Sequence, residues 1–166
     1  CVANTNSTPG FIRKLGFQLV TPLDVKVGVG DYKINLRKLD HIVQFRRDWT
    51  KESLEWRIKN PANLVSLTTH QDEISAFSRT GQPFISSYSP VLIDDYQATP
   101  LSVTQSSIRL FLGKLPTSTT RCGFFIAVPN ALKPSPLNLI YKPLSSTIRT
   151  INKNRILISF LDFDAY

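Results

Sequence analysis

Apolar and polar residues alternate along much of this chain with the two-residue period of strands, because successive side chains on an extended backbone point to opposite faces. Val25, Val27 and Val29 alternate with Asp24, Lys26 and Gly28, and the phase then switches across Gly30-Asp31 to Tyr32, Ile34 and Leu36. Two strands joined by a tight turn are predicted, since a turn resets the register. Further strands are predicted over 42–46 and over 54–59, where Leu54, Trp56 and Ile58 alternate with Glu55, Arg57 and Lys59. The segment 48–53 between them fits either a turn or one helical turn. Asn60-Pro61 ends the run, because proline has no N–H to give to a ladder.

One helix is predicted, starting at Thr69, where a threonine with an acid three residues on precedes Ile74, Ala76 and Phe77. Short apolar pieces follow over 84–88 and 91–93, divided by Pro90. The last third is the clearest strand territory. Alternation recurs over 102–104, 108–112, 124–128, 137–141 and 156–160, separated by turn residues such as Gly113 to Pro116, Pro129-Asn130, Pro134 to Pro136, Pro143 and Asn152 to Asn154. Many short strands at such spacing predict an all-β fold: a two-sheet antiparallel sandwich, jelly-roll-like, or a partly open barrel, with one short helix.

Composition changes this picture little. At 166 residues and 42% hydrophobic content the chain can bury one sizeable core, so a single β-sandwich domain over 11–166 is expected. Residues 1–10, polar and ending in Pro9-Gly10, read as a flexible N-terminal tail. No apolar run reaches the roughly 18 to 20 residues that cross a bilayer, and the start does not read as a signal peptide, so a soluble protein is expected. The absence of Met points to processing or to a piece of a longer chain. Two cysteines make no disulfide framework. Cys122, beside Gly123-Phe124-Phe125, reads as a small buried residue, and Cys1 as a boundary or the lipid-bearing residue of a processed lipoprotein. Asn6-Ser7-Thr8 matches the glycosylation sequon, a match that a polar stretch produces easily.

Charge adds more. The chain carries a net +8, and its sign is segregated along the sequence. Residues 13–59 hold 11 basic against 6 acidic groups, residues 60–95 are acidic, and 96–161 hold eight cations without one Asp or Glu. Clustered positive charge attracts polyanions, and neutralising phosphates releases counterions. Nucleic acid, RNA first, and anionic membrane are the expected partners. The candidate contact residues are Lys33, Arg37, Lys38, Arg46, Arg47, Arg109, Arg149, Lys153 and Arg155. Aromatics interleave with cations at Phe45-Arg46-Arg47-Asp48-Trp49, Trp56-Arg57 and Tyr141-Lys142. That pattern would let rings stack bases, although strand alternation alone also produces it, which makes Trp56 and Tyr141 core candidates.

Catalytic and metal signatures fall short of a site. His70 with Asp72 and Glu73 reads as a helix start with dipole-matched acids, not as a ligand set. Asp94-Asp95 reads as a solvated turn before Tyr96. Gly28-Val29-Gly30 lacks the third glycine and following helix of a dinucleotide fingerprint. The apolar neighbours of Cys122 argue against a lowered thiol pKa, and hence against a nucleophile paired with His41 or His70. No enzyme, cofactor or metal is expected. The conjunction of a compact β chain, a basic surplus and no catalytic constellation points to a viral structural protein. The expected role is a small coat or capsid-type subunit, in the virion or host cytoplasm, that self-associates and contacts nucleic acid. A viral matrix or movement-type protein binding anionic membrane or ribonucleoprotein is the alternative, and a non-viral β-sandwich binding module the second.

Overall fold

The computed structural model describes residues 1–30, 39, 41–70, 73–93, 96, 106–117, 124–133, 135–145 and 150–163. The expected strands over 32–36 and 102–104, together with Lys33, Arg37, Lys38, Asp72, Asp94, Asp95, Cys122 and Arg149, lie outside the described residues. The fold is mostly β, with two sheets, the larger strongly curled like half a barrel.

The larger sheet is organised around β8 (Ile108–Lys114), a strand as its sequence predicts. One edge of β8 pairs along its length with antiparallel β3 (Asp24–Val29), from Asp24↔Gly113 to Val29↔Ile108. Its other edge is shared. The first half pairs in parallel with β7 (Ile85–Val91), and the last two residues pair antiparallel with β11 (Ile156–Ser159). The sheet therefore forks. Beyond β7 lie β6 (Glu73–Arg79) and β5 (Val65–His70), beyond β11 lies the two-residue β4 (Phe45–Arg46), and beyond β3 lies β9 (Phe124–Ala127). Gly113 sits where the fork opens, and a Cβ there would run into the Ile158 carbonyl and the Ser159 backbone. Only glycine lets β11 approach so closely.

The smaller sheet is antiparallel, in the order β1 (Val2–Asn4), β10 (Leu137–Tyr141), β2 (Gln18–Pro22). It covers one face of the larger sheet, and the main core lies between them: Leu139 from the small sheet meets Leu67, Ile74, Val91, Leu112, Ile156 and Ile158. The opposite face carries a second cluster of Leu39, Phe77, Tyr88 and Phe111. The middle strands are thus covered on both sides.

Five expectations are corrected. Residues 1–10 are not a tail: β1 pairs with β10, and helix α1 (Thr8–Leu15) follows. The polar residues there satisfy backbone groups, with Asn4 Oδ1 accepting from Ser7 N at 2.8 Å and Thr8 Oγ1 donating to Asn4 O at 2.7 Å. Gly16 ends α1 at φ 69°, with Phe17 N–H donating to Phe11 O and the two rings meeting edge to face at 5.3 Å. The alternation over 54–59 belongs to a helix, α2 (Lys51–Ile58). A capping box between Thr50 and Ser53 starts it, and the buried set Leu54, Arg57 and half-buried Ile58 follows helical spacing.

The third correction is the helix expected from Thr69, where β5 and β6 instead form a hairpin pairing His70↔Glu73 through Val65↔Ser78. Ala76 and Phe77 are both buried because each face of β6 has its own core cluster, which hides the alternation. Finally, Pro90 does not divide two pieces. It lies within β7, past Ser87 where pairing with β8 ends. Of the strand expected over 42–46, only Phe45 and Arg46 are in strand geometry.

Candidate polyanion-binding surface

The parallel pairing of β4 with β11 brings Arg46 and Arg155, far apart in sequence, onto neighbouring segments. The register is Ile156↔Phe45 and Leu157↔Arg46. Arg155 therefore shares a face with Arg46, two positions back along the neighbouring strand.

Backbone and side-chain hydrogen bonds hold this junction. Gln44 N–H and Phe45 N–H donate to Arg155 O at 2.8 and 3.2 Å, and Asn152 N–H donates to Gln44 Oε1 at 3.0 Å. Arg155 Nε donates to Ile42 O at 2.7 Å, which anchors the base of its guanidinium. An Asx turn, with Asn154 N–H donating to Asn152 Oδ1 at 3.0 Å, lifts Lys153 into solvent. Arg47 and Arg155 are also exposed, and Arg46 is half-buried.

Arg47 lies over the ring of Trp49, 4.1 Å from its centroid. Trp49 is itself buried in the main core, so its ring serves as the floor for a cation rather than as an open platform for bases. Trp56 behaves the other way. Expected as a core candidate, it stands 70% exposed on α2. Tyr141 is half-buried.

Sequence reasoning missed two participants. Asp162 ends a 3-10 turn (Phe160–Asp162) directly after β11, and its Oδ2 accepts from Ser159 N at 2.7 Å and from Ser159 Oγ at 3.2 Å. Burial pushes its carboxyl up to about 6, against the pull of the Ser159 hydrogen bonds, the Arg47 charge and a hydrogen bond with Trp49. Asp162, Arg46 and Arg47 line one cavity of about 330 Å³ with Phe45 and Leu139. Arg46 also borders a second cavity, of about 160 Å³, with Lys51 at the start of α2. Lys51 thus joins the cation group from a segment whose helical character only its cap announces.

Arg109 does not join it. The strand register turns its side chain onto the face of the second core cluster, where its guanidinium lies 5.1 Å from the Phe77 ring centroid and 5.6 Å from that of Tyr88. Burial pulls it below its ordinary pKa. A cation in that position builds the fold and is turned away from a polyanion.

Among the described residues no three His, Cys, Asp or Glu groups gather as metal ligands, and no helix is long and apolar enough to cross a membrane. No family model matches the chain, and no curated protein or solved structure matches it significantly.

Proposed function

We propose that this chain is a viral structural protein of coat or capsid type, which associates with copies of itself and holds nucleic acid, RNA in the first place, at the β4–β11 junction. The observation that carries the reading is the β4–β11 pairing, which sets Arg46 and Arg155 on neighbouring segments, with exposed Arg47 and Lys153 close to them in sequence and Lys51 at a cavity that Arg46 lines, in a chain of net charge +8. Cations so placed hold phosphates without reading sequence. The hydrogen bond from Arg155 Nε to Ile42 O sets the Arg155 side chain before any ligand arrives, which lowers the ordering cost of binding at that residue. The viral setting rests on the compact β architecture and the basic surplus together, as an analogy between folds.

The test is charge reversal. Arg46→Glu/Arg47→Glu and Lys153→Glu/Arg155→Glu should each weaken binding to single-stranded RNA while circular dichroism shows the fold kept, at some cost in unfolding temperature from the lost Arg155–Ile42 hydrogen bond and Arg47–Trp49 contact. RNA affinity that survives both pairs of changes would remove the site.

A second reading, a matrix-type protein on anionic membrane, is favoured by α1. Its apolar residues Ile12 and Leu15 are 37% and 51% exposed, next to Arg13 and Lys14, a combination that suits a lipid headgroup layer. Binding to vesicles that requires acidic lipid and survives nuclease would move the reading there.

A further inference from the structure

A cavity of about 820 Å³ opens where β6 ends and β7 and β8 begin, and every residue that lines it is among the described ones. It lies on the β7–β6 branch of the fork, away from the β4–β11 cations. The turn between β6 and β7 forms one wall. Thr80 Oγ1 accepts from Gln82 N–H at 3.2 Å and donates to Ile85 O at 2.8 Å, while Ser106 Oγ accepts from Ile108 N–H at 3.2 Å and donates to Phe84 O. These two hydroxyls are engaged in holding backbone. The loop they hold carries Phe84 at φ 64°, a left-handed conformation that bulky residues rarely adopt, with its ring 82% exposed at the cavity. Strain kept at an exposed aromatic is characteristic of ligand clamps.

Other polar groups on the lining hold nothing. The Arg79 guanidinium is exposed, and among the described residues it has neither an ion pair nor a hydrogen bond. The Gln82 amide and the Ser107 hydroxyl are likewise unengaged there, and Ser86 Oγ accepts from Ser106 N–H at 3.3 Å with its own proton left to give. A guanidinium fork, an amide and two hydroxyls therefore border one space beside an exposed ring. Apolar walls with a few polar groups available are the usual make-up of a small-ligand site.

We infer that this cavity binds a carboxylated sugar, the acidic end of a glycan. Arg79 pairs with the carboxylate, Gln82, Ser86 and Ser107 meet the hydroxyls, and the Phe84 ring stacks on the apolar face of the pyranose. The site goes beyond the nucleic-acid reading and does not depend on it. Charge selects the ligand class. Arg79 is the one charged residue on the lining, which matches a single carboxylate, whereas a run of phosphates needs several cations along its track. Sugar hydroxyls both donate and accept, as the unengaged amide and hydroxyls do. A peptide fits less well: β6, β7 and β8 are each paired on both edges, so no strand edge is open for an extended chain to join.

The experiment is an NMR titration of the backbone amides of the full chain with the methyl glycosides of N-acetylneuraminic acid and glucuronic acid, the methyl group standing where a glycan continues. Methyl galactoside and acetate are the controls. The acidic glycosides should shift amides within 79–86 and 106–108, and bind at least about tenfold tighter than the neutral sugar or acetate. Arg79→Gln should remove that advantage, and Phe84→Gly should weaken every sugar. Both variants should keep the unfolding temperature, because Arg79 has no partner to lose among the described residues and glycine adopts φ 64° freely. Arg46→Glu/Arg47→Glu should bind the sugars as the native chain does, whether or not it still binds RNA. The inference is overturned if neither acidic glycoside binds, if acetate binds as tightly, or if Arg79→Gln binds the acidic sugars as well as the native chain. Displacement of the sugar by single-stranded RNA would also overturn it, by making the cavity part of the nucleic-acid surface.

Discussion

The two branches that leave β8 carry similar alternating apolar residues to opposite fates. On the β11–β4 branch Ile156, Leu157 and Ile158 are buried, and the cations stand at the rim around them. On the β3–β9 branch Val29, Phe124 and Ile126 stand in solvent. The difference lies in what packs above them. Among the described residues, the main core takes in Ile156 and Ile158 of β11 together with Leu139 of the small sheet, and of β3 and β9 it takes in Val25. Alternation in a strand marks a face that would gain from burial, and tertiary cover decides whether it is buried.

The largest effect should appear in stability. Ile156→Ala removes a fully buried side chain and should cost about 2–5 kcal/mol, whereas Ile126→Ala should stay within about 0.5 kcal/mol in the monomer. Urea titration of both variants at low protein concentration measures the contrast. Equal costs would erase the distinction between the branches.

Asp162 should give the next effect, through pH. Its carboxyl is raised from 3.8 to about 6, so the folded protein binds this proton more tightly than the unfolded chain. The stability it contributes is fully present below 3.8 and is lost as pH rises through about 6. Acidification from neutral pH also frees one positive charge at the cluster, so RNA binding should strengthen across the same window. Asp162→Asn should flatten both profiles relative to the native sequence, read by urea titration and RNA titration at several pH values. Profiles that stay parallel would show that Asp162 titrates as an ordinary carboxylate.

The smallest effect should come from Trp56. Its ring is exposed, and the account places RNA affinity in cations, so Trp56→Ala should leave stability within about 0.5 kcal/mol and RNA affinity nearly unchanged. A loss of about 1 kcal/mol or more in binding would reveal base stacking on α2.

The strands over 108–112, 137–141 and 156–160 were legible from apolar residues at alternate positions between turn residues, and 124–128 as a short apolar run ended by Pro129. The β5–β6 hairpin was not, because Ala76 and Phe77 bury on opposite faces and the acids near Thr69 imitate a helix start. Leu54, Trp56 and Ile58 alternate by coincidence: Trp56 is the exposed residue, Arg57 the buried one, and Arg57 Nε donates to Leu161 O at 3.2 Å. The polar residues at 4–8 read as a tail because their hydrogen bonds to one another leave no periodic trace. For the candidate surface, the residue types of Arg46, Arg47, Lys153 and Arg155 were readable. The meeting of Arg46 and Arg155 was not, because it depends on a parallel pairing of two short strands distant in sequence, and no local pattern encodes that. Arg109 looked equivalent to them until the register turned it inward.

The central claim is that these four cations act as one phosphate-binding surface, and the salt dependence of RNA binding tests it most directly. With four phosphates neutralised on a single strand, log K should fall against log salt with a slope near about −3. Replacing Arg46, Arg47, Lys153 and Arg155 by Gln together should flatten that slope to roughly −1 or shallower, the share left to Lys51, while circular dichroism shows the fold kept. A slope unchanged by the four replacements would place the polyanion contact elsewhere and contradict the account.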